Sequence, residues 1–354
     1  MPEKNLLPVR KKLLRWYDDH KRDLPWRRSN DPYAIWLAET MLQQTRVKTA
    51  LPYYEKFLKT FPTIEALARA PLPRLLRLWS GLGYYRRAEN LKKAAMQIVR
   101  DHGGRLPDDY NKLRGLSGIG DYTAGAILSI AFDKRYPAID GNVRRVFARL
   151  FSITDERQLR ATVTRLASKK RPGDFNQALM ELGATICTPK NPRCGACPVA
   201  IDCASRLCSP AKVIEVRRAR SKFHNVTWPL AIVRRHGKIL LRRRAKDGLL
   251  AGLWELPGLE LARGEKLEHF KVRLQNELPF PLMRSHRIGA IRHSITHRRI
   301  HAPIYVFDDD SKDSQALARG RWRWLTPAEV RNQAISSMTA KAIRIFAEYE
   351  ESLS

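Results

Sequence analysis

A mainly helical region followed by a smaller α+β domain is the architecture this 354-residue sequence predicts. Length is the first observation, since a single domain usually takes about 100–200 residues. The second is a change of hydrophobic period: apolar residues recur at helical spacing up to Cys208, then alternate from about Thr227. The third is the 44% hydrophobic content, enough for sizeable cores.

In chain order, "VRKKLLRWYDDH" places Leu13, Leu14 and Tyr17 on one helical face. "DPYAIWLAETMLQQTRVKTALPYYEKFL" reads as helix with a break at Pro52, and "TIEALARAPLPRLLRLWSGLGYYRRAENLKKAAMQIV" as helices punctuated by Pro and Gly. "GAILSIAF" suits a buried helix, and Asp140 stands as N-cap of "DGNVRRVFARLF". Residues 1–208 thus form one domain, and 209–226, basic and weakly patterned, read as a linker. Residues 227–354 form the second domain. Its strands are expected in "WPLAIVRR", "GKILLRRR", "LWELPG", "IRHSITHRRIHAPIYVF" and "RWRWL", with an amphipathic segment at 265–278 and a helix at 327–350.

Charge narrows the partner. Sixty-six Lys and Arg against 35 Asp and Glu give +31, an excess that points to a polyanion, DNA foremost. With a mean hydropathy of −0.43, no run approaches the ~20 apolar residues of a membrane span. The opening residues lack the apolar core of a secretory signal. A cytoplasmic, nucleoid-associated location is expected.

Two motifs carry chemistry. In "GLSGIGDYTAG", Gly118 and Gly120 flank Ile119 just before a helix. Such a turn lets backbone N–H groups approach a phosphate, and the helix start favours the negative charge. Cys187, Cys194, Cys197 and Cys203 follow C-x6-C-x2-C-x5-C. Four thiolates on one short loop suit zinc or an iron–sulfur cluster; a single loop wrapping all four favours the 4Fe–4S cluster. Cys208 lies outside this pattern.

"LSGIGDYTAGA", "IDGNVRRV" and the cysteine spacing resemble the endonuclease III superfamily, and "AETMLQQTRV" with "LWSGLGYYRRA" resemble its adenine DNA glycosylase family. The resemblance runs densely through residues 6–208. It implies a two-lobed helix–hairpin–helix glycosylase domain with a 4Fe–4S loop, a cleft between lobes, and removal of adenine paired with 8-oxoguanine or guanine in double-stranded DNA; a monomer is the default expectation. Breaking a C1′–N9 bond calls for an acid to help the base leave and a carboxylate to face the sugar cation. Glu39 lies in the apolar stretch "AIWLAETML", where burial raises a carboxyl's pKa. By resemblance it protonates adenine N7 and later handles the water, while Asp140, supported by Asn142, stabilises the oxocarbenium ion. Relatives that also cut the strand use a lysine where this chain has Tyr122. A phenol forms no Schiff base, so a monofunctional enzyme is expected, with Tyr122 hydrogen-bonded near Asp140 and the sugar. Tyr84, in "GLGYYRR", is the expected wedge beside the purine once the base leaves the stack. Gln43 and Gln44 lie a turn from Glu39, Gln44 toward the opposite strand. Arg27 and Gln177 are candidates for contacts with adenine.

"LLAGLWELPG" resembles the approach to a Nudix motif, but the carboxylates of "LELARGEKLEHFKVRLQNEL" miss its spacing. A Nudix-like α+β domain without hydrolysis is therefore expected. The family's loop that meets 8-oxoguanine reads His-x-Phe-Ser-His. Here it is "HSITH": His293 and His297 match, Ile295 replaces the Phe and Thr296 the Ser. Thr keeps a hydroxyl, whereas Ile can wedge but not stack. The competing readings are a pyrimidine glycosylase on the same scaffold, for which Glu39 is superfluous, and a non-catalytic damage-recognition protein, for which the pair Glu39 and Asp140 is.

Overall fold

The structure is a computed structural model that describes residues 6–207, 223–245, 248–262, 264–278, 280–282, 284–295, 297–308 and 321–353. Cys208, Thr296 and most of the expected linker fall outside these residues. The chain divides into two compact units, Met1–Ala70 with Glu89–Arg218, and Pro71–Ala88 with Ala219–Ser354.

Helices run over Leu6–His20 (α1), Pro32–Leu42 (α2), Val47–Thr60 (α3), Ile64–Arg69 (α4), Leu72–Trp79 (α5) and Arg86–His102 (α6). They continue with Tyr110–Arg114 (α7), Asp121–Ile130 (α8), Gly141–Phe151 (α9), Glu156–Leu166 (α10), Pro172–Thr185 (α11) and Ala204–Leu207 (α12). In the first unit, α11 packs against α1, α8 and α9, and α2 packs against α8. Val9, Leu13, Tyr17, Val143, Phe147, Val163, Phe175 and Leu179 join α1, α9, α10 and α11 in one core. Truncating a buried Phe such as Phe147 in such a core typically costs ~3–5 kcal/mol.

The break expected at Pro52 lies earlier. α2 ends at Leu42, Gln44 takes a left-handed φ of 58°, and α3 starts at Val47 with Pro52 inside it. Pro52 forfeits one bond near the helix start, and the buried face of Ala50, Tyr54 and Phe57 holds α3 together regardless. α2 begins firmly: Asp31 accepts from Tyr33 N at 3.0 Å, and Pro32 occupies the first helical position.

The second unit holds a sheet of His224–Thr227 (β1), Leu230–Arg235 (β2), Lys238–Arg243 (β3), Trp254–Glu255 (β4), Ser285–Ile295 (β5), Arg298–Asp308 (β6) and Trp322–Leu325 (β7). The strand order is β1-β6-β2-β3-β4, with β5 paired to β6 and β7 to β3; β1 and β2 run parallel to β6. Helices Leu267–Glu277 (α13), Pro327–Arg331 (α14) and Ser337–Glu351 (α15) complete it. Side chains of β2 alternate between two cores. Leu230 and Ile232 join Phe346 of α15, while Ala231 and Val233 join Phe270 of α13. Burial on both faces explains the unbroken apolar run.

Three expectations here are corrected. Strand β1 starts at His224, inside the stretch read as linker. "IRHSITHRRIHAPIYVF" is two strands of a hairpin, because Ile295 pairs with Arg298. The helix expected at 327–350 is two helices. Ala334 accepts a hydrogen bond from Trp254 N at 2.8 Å, and Ser336 then caps α15 through Thr339 N at 3.1 Å.

Candidate active site

The Gly118–Gly120 turn has the backbone its glycines predict. Gly118 sits at φ 79°, where L side chains are strained, and a Cβ there would lie 2.7 Å from Asn90 Cβ. Gly120 caps α8. Arg114 donates to the Ile119 carbonyl at 2.7 Å and fixes the turn. The turn opens onto a cleft of about 730 Å³ whose lining includes Gln43, Gln44, Gly118, Gly120, Tyr122, Asp140 and Asn142.

Glu39 lies buried at 5% exposure on α2. The packing of α2 on α8 brings Tyr122 to it, and the phenol donates to Glu39 Oε2 at 2.5 Å. The Tyr122 phenol oxygen also stands 3.1 Å from Met180 Sδ of α11. Burial pushes the Glu39 carboxyl up to about 7, reinforced by the Asp140 charge and opposed by the Tyr122 hydrogen bond and the Arg27 charge. Glu39 therefore holds a proton near neutral pH. Burial, then the charges of Glu39 and Asp140, hold the Tyr122 phenol well above its ordinary range.

Asp140 caps α9. Its Oδ1 accepts from Asn142 N and Val143 N, both at 2.8 Å, and its Oδ2 from Asn142 Nδ2 at 2.7 Å. Burial raises its carboxyl while these three donors pull it back. The hydrogen bond of Tyr122 goes to Glu39, with Asp140 close enough for its charge to act on the phenol. The two carboxyls thus differ in kind: one sits beside a single phenol, the other in a nest of donors.

Gln43 donates to Thr123 Oγ1 at 3.2 Å. Arg27 donates to Gln177 Oε1 at 3.2 Å and to Glu181 Oε2 at 2.7 Å. Glu181, 1% exposed, also receives Arg22 at 2.6 and 2.9 Å. These guanidinium groups offset its burial and hold its carboxyl below the ordinary range. Sequence reading missed Glu181; its signal was the four-residue spacing from Gln177, which puts both on one helical face. It also missed Arg145, which donates to Asn142 Oδ1 at 2.8 Å, Gly183 O at 2.7 Å and Cys187 O at 2.8 Å.

Tyr84, Ile295 and His297 belong to the second unit. Tyr84 is 47% exposed at φ 48°, on the turn between α5 and α6, with the Arg87 guanidinium 5.4 Å from its ring centre. Ile295 and His297 lie at the tip of the β5–β6 hairpin, and Thr296 is outside the described residues. His293 is half-buried, and burial with the Lys341 charge lowers its pKa.

Cys187, Cys194, Cys197 and Cys203 together line one cavity of about 250 Å³. Arg149 closes it, donating to Thr188 O at 2.7 Å and Pro189 O at 3.1 Å, with its guanidinium 3.4 Å from Cys187 Sγ. Burial pushes the Cys197 thiol up to about 11, and that of Cys203 upward too. Four thiolates in so tight a place need a cationic centre. A cavity lined by four cysteines suits a multi-atom cluster.

Comparison with known proteins places this geometry. Residues 37–172 match the HhH-GPD superfamily of base excision DNA repair proteins, 187–203 the iron–sulfur binding domain of endonuclease III, and 230–344 the NUDIX domain. The adenine DNA glycosylase of Rattus norvegicus is 34% identical, over 96% of this chain and 78% of its own length. That of Buchnera aphidicola (strain Bp) is 39% identical, over 69% and 72%. The chain belongs to the adenine DNA glycosylase family. A solved thermostable thymine-DNA glycosylase superposes at TM-score 0.55 with 29% identity, over 58% of this chain and 98% of its own. A trapped endonuclease III–DNA covalent intermediate, 20% identical, shares the fold at TM-score 0.52, over the same shares. This glycosylase is thus a DNA-binding base-excision-repair hydrolase, and its cysteine loop carries the 4Fe–4S cluster. The four cysteines would hold the cluster, and Arg145 and Arg149 meet the start of that loop at Cys187.

Proposed function

We propose that this glycosylase acts as a monomer on adenine paired with 8-oxoguanine or guanine and leaves an abasic site without cutting the strand. The bond between Tyr122 and the buried Glu39 carboxyl carries this reading. Glu39 protonates adenine N7, and the C1′–N9 electrons leave with the base. Asp140, its carboxyl oriented by three donors, meets the positive charge at C1′ and forms a covalent bond to it. Glu39, now a carboxylate, takes a proton from the water that displaces Asp140. Tyr122 holds Glu39 in place and offers no amine to C1′. Support for lesion reading comes from His293, Ile295 and His297, with Ile295 in the wedging position. The Nudix-like domain is non-hydrolytic in this account: Arg242 engages Glu255 at 2.9 Å and Glu277 at 2.6 Å, and Arg273 engages Glu265 at 3.2 Å.

Borohydride trapping on an adenine·8-oxoguanine duplex tests the route. The wild-type enzyme should release adenine yet yield no protein–DNA adduct. A trapped adduct would overturn the monofunctional reading. Full activity in Glu39→Gln would overturn the assignment of the acid.

A further inference from the structure

At one end of the second unit's sheet, β5, β6 and β1 lie side by side in a register that builds two cross-strand rows. Ser294 pairs with Arg299, which pairs with Asn225; Arg292 pairs with His301, which pairs with Thr227. Directly paired residues share a sheet face, so these six side chains lie on one face, and all six are exposed. Neighbours within a row stand ~4.8 Å apart, and the rows ~7 Å apart along the strands. The other face of the same strands carries Val226, Ile291 and Ile300, which join the core under α15. Farther along β6, the exposed face becomes Tyr305 and Phe307, covered by Phe270 of α13. Helix α13 therefore covers one end of this face and leaves the other open.

The open end is rich in hydrogen-bond donors and poor in acids. A cleft of about 540 Å³ at this end reaches from these residues round to His293 and Lys341 on the α15 side, and none of its lining residues is acidic. The Arg299 guanidinium lies 4.7 Å from the ring centre of Phe223, itself 46% exposed. Stacking on a ring orients a guanidinium and leaves its N–H edge for an oxyanion. The two strands run straight into the tip that holds Ile295 and His297.

We propose that this face holds the sugar–phosphate backbone of the DNA strand carrying the purine opposite adenine, with Arg292 and Arg299 each meeting one phosphate. The proposal rests on the reading that the hairpin tip faces that purine. Phosphate contacts position the duplex and carry no base identity. Each adds about 0.9 to the slope of log affinity against log salt.

The test uses the full-length, cluster-loaded protein and duplexes with an abasic-site analogue opposite 8-oxoguanine or guanine. Arg292→Gln/Arg299→Gln should lower the salt slope by about 2 and leave the affinity ratio between the two duplexes unchanged. Arg292→Lys/Arg299→Lys, which keeps both charges, should retain the slope. Lys271→Gln, at an exposed position of α13, should retain it as well. An unchanged slope in the Gln variant, an equal drop in Lys271→Gln, or a drop in the Lys variant would overturn the proposal. The reading of the tip is tested separately: a wild-type protein with no preference between the two duplexes refutes that reading, while the slope still decides the backbone site.

Discussion

Replacing Tyr122 by Phe removes one donor and little else. In the wild-type enzyme that phenol meets Glu39 Oε2 at 2.5 Å and stabilises the carboxylate against the acid. A hydrogen bond to a charged group contributes ~1.5–3 kcal/mol, and one pKa unit corresponds to ~1.4 kcal/mol. Losing it should therefore raise the Glu39 pKa by about 1–2 units, from about 7 in the wild type. The general acid works only while protonated, so the rate of base release falls as pH rises through this value. Single-turnover adenine release from pH 5 to 10 should show that fall near pH 7 in the wild type and 1–2 units higher in Tyr122→Phe. A fall at the same pH, or at a lower one, would refute the reasoning about which form the phenol stabilises.

Three further outcomes follow from other contacts. Asn142→Ala removes the 2.7 Å bond to Asp140 Oδ2, and single-turnover rates should drop about 10- to 100-fold. Glu181→Gln leaves Arg22 and Arg27 without their buried counter-charge. Stability at pH 7 should fall by about 3 kcal/mol, read as a lower unfolding temperature. Because the folded pKa of Glu181 is depressed, the wild-type advantage is present above the unfolded value near 4 and fades as pH falls through the lower folded value. Gly118→Ala forces a Cβ against Asn90 at a positive φ, so anisotropy titrations should show weaker binding to any duplex, matched or mismatched.

Much of this was legible in the sequence because it is local. Asp140 reads as an N-cap, and the spacing of Gly118 and Gly120 announces a turn that admits an anion. Glu39 reads as a perturbed acid because its neighbours along α2 are apolar. What stayed hidden depends on pairs distant in the chain. Tyr122 meets Glu39 across 83 positions, and Arg27 meets Glu181 across 154; no local pattern encodes either. Pro52 misled because one missing helix bond is a weak term beside a buried apolar face. The split between α14 and α15 came from a bridge between Trp254 and Ile335, again a long-range contact that local periodicity does not carry.

Base release under single-turnover conditions, from adenine opposite 8-oxoguanine, guanine or thymine, tests the central claim most directly, with each sample assayed before and after hot alkali. The account predicts release opposite 8-oxoguanine and guanine but not thymine, with strand breaks appearing only after alkali. Breaks without alkali, or no release from any duplex by tightly bound, cluster-loaded protein, would contradict it.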